Sequence, residues 1–362
     1  MILDQVELHN IEQVVGIDGR QGVRLQRVPE SVRQHLNPGA QEKMLRPCGS
    51  EIRFVSDGRS VRVTLSSEER TGLIVFFGLF QSTQRFTIGR EPRTVEITMS
   101  DRLQQSDPAL WSGMAFSPRV CRLALGGWQK DAPLFFHGIE GSSIRPPKPD
   151  ELPGVRYLAY GTSITQGSQA MAPHLSYVSQ AARRLGADAI NLGVGGSAYC
   201  ERELADHIAD RGDWDIATLS LSVNMIGAGF SLQEFQDRVS FMIDRVGDGD
   251  SHRPVVCITI YPHFRDLGMP SASGQDKGTA EQFRQALRDA ADACPHPNVR
   301  LLEGTEILRD FSGLTPDLLH PSDSGMILMG ENLARCLAPE VAGLPPRCTV
   351  GGARETCVLE NA

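Results

Sequence analysis

Between residues 155 and 337, short apolar runs alternate with stretches of helical spacing, and this alternation constrains the fold more than any other feature of the chain. VRYLAY (155–160) precedes HLSYVSQAARRL (174–185), where Leu175, Val178, Ala182 and Leu185 recur at helical spacing before Gly186. ADAINL (187–192) precedes a helix near 201–210, DIATLSLSV (215–223) a helix near 231–246, and RPVVCITI (253–260) a helix near 279–293. NVRLLE (298–303) is a last strand before a helix near 323–337. Strands that are almost continuously apolar and alternate with helices predict a parallel sheet covered on both faces. Chemistry in such sheets gathers at the carboxyl ends of the strands.

The chemically suggestive residues fall there, or in the loop before the last helix. Ser163, in Gly161-Thr162-Ser163, follows the first strand. Gly193-Val194-Gly195-Gly196 follows the second, where missing side chains let backbone N–H groups approach a ligand closely; Gly196 is the expected donor. Asn224, in SVNM, follows the third and offers an uncharged amide. Asp317 and His320 stand as Asp-x-x-His between Pro316 and Pro321, whose rings restrict the loop. A hydroxyl nucleophile needs a base within hydrogen-bond reach and a third group to orient that base. Ser163, His320 and Asp317 are candidates for those three roles; the Ser163 N–H, the Gly196 N–H and the Asn224 amide are candidates for an oxyanion hole. Each feature is common by itself: a glycine turn, a turn-forming asparagine, a capping aspartate. Their joint placement at strand ends carries the reading. No Gly-x-Ser-x-Gly elbow, Walker lysine or complete dinucleotide fingerprint is present.

In this order the four blocks resemble the SGNH, or GDSL-type, esterase and acylhydrolase superfamily, over roughly residues 155–340. The resemblance implies a flavodoxin-like three-layer α/β fold, Ser163 as nucleophile, Asp317 and His320 as its partners, and an oxyanion hole of Ser163, Gly196 and Asn224. One residue departs: where the family has Gly-Asp-Ser, this chain has Gly161-Thr162-Ser163, and Thr162 supplies no carboxylate.

Residues 1–145 differ in pattern. Val61, Val63 and Leu65 alternate with Arg62, Thr64 and Ser66, and strand-like runs recur at 51–55, 73–80, 94–98, 119–125 and 133–139. Short strands separated by Gly, Ser, Asp and Pro predict an antiparallel, jelly-roll-like β-sandwich. The expected organisation is a sandwich over 1–145, a proline-rich linker over 146–153, an α/β domain over 154–340 and a tail over 341–362. A sandwich ahead of an SGNH domain resembles carbohydrate esterases and the bacterial group that includes the acyltransferase of tetracycline-type antibiotic biosynthesis. His174 and Tyr177 follow the Ser163 loop and read as first-turn helix residues in preference to pocket-lining ones. The Gly-, Pro- and Ser-rich stretch 261–278 reads either as a substrate-shaping loop or as disordered.

Charge is uneven. Residues 1–150 hold 19 cations and 17 anions, leaving 17 and 27 beyond. An acidic second half disfavours nucleic acid and anionic membranes as partners. The histidines form no His-x-x-x-His pair, the eight cysteines no Cys-x-x-Cys, and a metal or other cofactor is not indicated. The start MILDQVELHN has no basic, apolar leader and no run is long enough to span a bilayer, so a cytoplasmic location with reduced thiols is expected. The expected activity is a serine esterase acting on short acyl esters, acetylated sugars foremost. The alternatives are an acyltransferase using an alcohol acceptor, and a sugar-binding protein with a degenerate hydrolase domain. Acyl length, acceptor, substrate-binding residues and oligomeric state stay open.

Overall fold

The computed structural model describes residues 1–126 and 132–344, together with the two-residue strand Thr356–Cys357. The remainder of the tail expected after about Pro345 lies outside the described residues.

The alternation of the second half becomes five parallel strands: β1 (Val155–Gly161), β2 (Ala187–Gly193), β3 (Ile216–Ser220), β4 (Val255–Ile258) and β5 (Val299–Leu302), in the order β2-β1-β3-β4-β5. This is the flavodoxin-like order, with its topological switch beside β1. Helices cover both faces: α1 (Ser163–Gln166), α2 (Tyr177–Leu185), α3 (Arg202–Asp210), α4 (Val223–Gly227), α5 (Leu232–Asp248), α6 (Ala280–Asp292) and α7 (Asp323–Gly343). α2 and α7 bury Tyr177, Val178, Met326, Met329 and Leu333 against one face of the sheet. α3, α5 and α6 bury Leu204, Ile208, Phe235, Met242 and Phe283 against the other. Every β3 residue is buried, which is why its sequence reads as continuous rather than alternating.

The first half forms two antiparallel sheets packed through Val63, Leu65, Leu73, Val75, Leu123, Leu134 and Phe136. One contains Ile2–Leu3, Val6–His9, Glu51–Phe54, Cys121–Leu125, Thr71–Phe77 and Phe80–Ile88, with Thr356–Cys357 added in parallel at its edge. The other contains Gln13–Gly16, Val23–Gln26, Leu134–Gly141, Ser60–Ser67 and Arg93–Thr98.

Several local expectations are corrected. The apolar run 73–80 is not one strand: the chain reverses at Gly78-Leu79 and pairs Thr71–Phe77 with Phe80–Ile88. The helix expected from His174 starts at Tyr177, because Ser176 accepts the Ser179 N–H as a cap, while His174 belongs to a separate turn, Pro173–Leu175. The last helix runs on past Pro339 to Gly343.

The two halves meet extensively. Val28, Leu36, Ala40 and Met44 of the first half are buried in the core beneath α3 and α5. The stretch 145–151 is tied down: Arg145 pairs with Val55 through its backbone and with Glu151 at 2.7 Å through its side chain. Among the described residues no helix is long and apolar enough to cross a membrane.

Candidate active site

β1 ends at Gly161, and Thr162 Oγ1 accepts the Ile164 N–H at 3.3 Å, capping α1. The threonine that stands in place of an aspartate thus starts the helix that begins at Ser163. Behind it, Thr165 Oγ1 meets the buried Tyr177 hydroxyl at 2.8 Å.

The Asp-x-x-His loop closes on itself. Leu314 bridges to Pro321, and the Thr315 N–H donates to the His320 carbonyl at 2.8 Å. Within this tight turn Leu318 takes φ 55°, a left-handed conformation rare for a leucine. The outcome is directional. Asp317 Oδ1 accepts from Thr315 Oγ1 and from the Leu319 and His320 N–H groups at 2.8–2.9 Å, leaving Oδ2 to meet His320 Nδ1 at 2.7 Å. Burial raises the Asp317 carboxyl, but hydrogen bonds led by the His320 N–H outweigh it and hold the group well below the usual carboxylate range. With Nδ1 donating to this anion, Nε2 is the accepting nitrogen, and Ser163 Oγ lies 2.8 Å from it. Ser163 is 8% exposed, so the hydroxyl is shielded yet reachable.

Three candidate donors lie on the segments that follow β1, β2 and β3. The Ser163 N–H, first in its helix, has no carbonyl one turn back to receive it. The Gly195 N–H donates to Gln166 Oε1 at 2.9 Å, whereas the Gly196 N–H donates to no acceptor among the described residues. Gly196 has φ 74°, which a side chain would strain. Asn224 Oδ1 accepts the Ala198 N–H at 3.3 Å, which leaves its NH₂ to point elsewhere. The close approach of the two loops depends on Gly193: a Cβ there would lie 2.4 Å from the Gln166 nitrogen. Gly193→Ala is therefore expected to push α1 off β2, lowering stability by about 1–3 kcal/mol and turnover with it. Parallel denaturation and kcat measurements check this; an unaltered kcat would show that the contact does not position Ser163.

Residues 159–327 match the GDSL-like Lipase/Acylhydrolase family. That match covers most of the α/β part of this chain, from β1 to the start of α7. The salicylyl-acyltransferase SsfX3 from a tetracycline biosynthetic pathway is similar across 95% of this chain and 96% of its own, at 17% identity and a TM-score of 0.73. A family two carbohydrate esterase from Clostridium thermocellum, solved with cellohexaose, is similar across 82% of this chain and 94% of its own, at 16% identity and a TM-score of 0.58. The acetyl xylan esterase Est2A from Butyrivibrio proteoclasticus covers 94% of this chain and all of its own, at 10% identity and a TM-score of 0.55. At these identities the likeness is one of fold. No curated relative matches the sequence.

Other residues around the candidate site were not singled out by sequence. Asn191, buried at the end of β2, donates to the Thr165 carbonyl at 2.8 Å and accepts the Gly193 N–H at 2.9 Å, joining α1 to the glycine loop. Arg27, from the first half, donates to the Asn191 and Gly193 carbonyls at 3.0 Å. Only Asn191 had a local signal, a buried polar side chain closing an apolar strand; Arg27 lies more than 160 residues away and had none. The stretch 261–278 is ordered by Arg265–Asp276 and Arg284–Asp266 pairs, and its Phe264 N–H donates to the Leu318 carbonyl at 2.8 Å, buttressing the Asp-x-x-His loop.

Proposed function

We propose that the chain is a serine esterase that cleaves short-chain acyl esters, acetylated sugars foremost, through an acyl-Ser163 intermediate. The observation that carries this is the hydrogen-bonded series Asp317–His320–Ser163, at 2.7 and 2.8 Å. Ser163 Oγ attacks the ester carbonyl as its proton passes to His320 Nε2; Asp317 keeps the ring oriented and balances the imidazolium. The tetrahedral oxyanion is held by the Ser163 and Gly196 N–H groups and the Asn224 amide. His320 then protonates the departing alkoxide, and a water deprotonated by the same nitrogen releases the acid.

The likeness to an acetyl xylan esterase supports a short acyl group. Hydrolysis of p-nitrophenyl esters of increasing chain length tests this: kcat/KM is expected to be highest for acetyl, and an optimum at octanoyl or beyond would refute the short-acyl assignment. Asn224→Ala is expected to lower kcat by about 10²- to 10³-fold with little change in KM, since the donor acts mainly on the developing charge.

The likeness to a salicylyl-acyltransferase along nearly the whole chain favours one second reading, transfer of the acyl group to an alcohol. Product analysis with added sugar and polyol acceptors separates the two: free acid as the dominant product supports the esterase, and a dominant new ester the transferase.

A further inference from the structure

At the end of the sheet opposite Ser163, α5 and α6 finish and the chain turns into β4 and β5. There Asp244 of α5 meets Cys294 and His296, which follow α6 as Cys-Pro-His. One ligand atom from each, a carboxylate oxygen, a thiol sulfur and an imidazole nitrogen, all lie within 4.8 Å of one another. We infer that Asp244, Cys294 and His296 form a surface zinc-binding site, separate from the esterase chemistry.

The donor set suits this ion. Thiolate, imidazole and carboxylate are the three side-chain ligands zinc accepts, and three of them with water in the fourth position complete a tetrahedron. Thiolate and carboxylate together neutralise a divalent charge. His296 Nε2 now lies 3.0 Å from Asp244 Oδ1, held by one shared proton; zinc takes the place of that proton, and the thiol releases a second one to solvent.

The site is pre-shaped. The Asn298 side chain donates to the Gly247, Asp250 and Arg253 carbonyls at 3.0–3.2 Å, fixing the loop against the end of α5. Gly247 lets the ring lie close, since a Cβ there would meet His296 Cδ2 at 3.1 Å. Asp244 keeps 61% of its side chain exposed, giving the ion an entry path. Pairing rules applied to sequence miss the site because one ligand comes from a helix fifty residues earlier.

Titration of the full-length, reduced, metal-free protein with Co²⁺, followed by Zn²⁺ displacement, tests the assignment. One equivalent of Co²⁺ is expected to give a thiolate charge-transfer band and tetrahedral d–d bands, both removed by Zn²⁺. Cys294→Ser is expected to abolish the charge-transfer band, and His296→Ala and Asp244→Asn to weaken affinity by about tenfold or more. Ser163→Ala is expected to bind as wild type does. No band in wild type, or a band that persists in Cys294→Ser, overturns the proposal. Matching circular dichroism of the metal-free variants establishes that they are folded, so a lost band reports a lost ligand.

Discussion

Ser163→Ala is expected to lower kcat for p-nitrophenyl acetate by about 10⁴- to 10⁶-fold, leaving only the rate that the oxyanion donors and substrate binding sustain without a nucleophile. His320→Ala is expected to fall as far, because a serine without its base is scarcely nucleophilic. The double variant is expected to be no slower than either single one. Groups acting in one proton transfer fail together, whereas independent groups would multiply their losses. Asp317→Asn is expected to cost roughly 10⁴-fold by leaving His320 in the wrong tautomer. Steady-state kinetics on the four proteins decides; losses in the double variant equal to the product of the single ones would mean that the 2.8 Å Ser163–His320 contact is not used in the reaction.

The largest effect on stability is expected far from that chemistry, where the sandwich meets the parallel sheet. Arg53, 1% exposed on a sandwich strand, grips Asp188 at the start of β2 with two hydrogen bonds of 2.7 and 2.8 Å. Glu51 joins from the sandwich side at 2.7 Å to Arg53 and holds Arg122 as well. Removing one partner strands a buried charge, so Asp188→Asn is expected to destabilise the protein by about 3–5 kcal/mol in urea denaturation. Exchanging both Arg53 and Asp188 for apolar residues of similar volume is expected to recover much of the loss, because desolvation of both ions is then avoided.

The same pair sets a pH dependence. Burial pushes the Asp188 carboxyl up, but the Arg53 charge outweighs it and holds the group far below the ordinary carboxylate range. Glu51, likewise raised by burial, is brought down to about 2 by Arg122 and Arg53. Carboxyls depressed in the folded state contribute stability that is complete above their unfolded value, about pH 4, and is lost as pH falls toward the folded value. Wild type's advantage over Asp188→Asn is therefore expected to shrink progressively as pH falls below about 4. An advantage that persists unchanged at the acid end would show that the pair is not the source.

The sheet was legible in the sequence because burial on both faces leaves an unmistakable mark, as in β3, where no polar alternation is possible. The meeting of Ser163 with His320, 157 positions apart, was legible because the loop after β1 and the loop before α7 reach the same edge of the sheet. What escaped was set by contacts that no local pattern records. Thr162 looked like a lost carboxylate and is a helix cap, a role shared by Asp, Ser and Thr alike. The run 73–80 concealed a hairpin because both strands it joins are apolar at the turn. The segment holding Val28, Leu36, Ala40 and Met44 precedes most of the sandwich strands yet lies in the α/β core, which only tertiary packing decides.

The central claim is a covalent acyl-enzyme at Ser163. Wild-type protein mixed with p-nitrophenyl acetate, acid-quenched within one turnover and read by intact mass and peptide mapping, is expected to carry one acetyl group on the peptide containing Ser163, with none on Ser163→Ala. Equal turnover by wild type and Ser163→Ala, or an acetyl group that maps elsewhere and turns over at the catalytic rate, would contradict it.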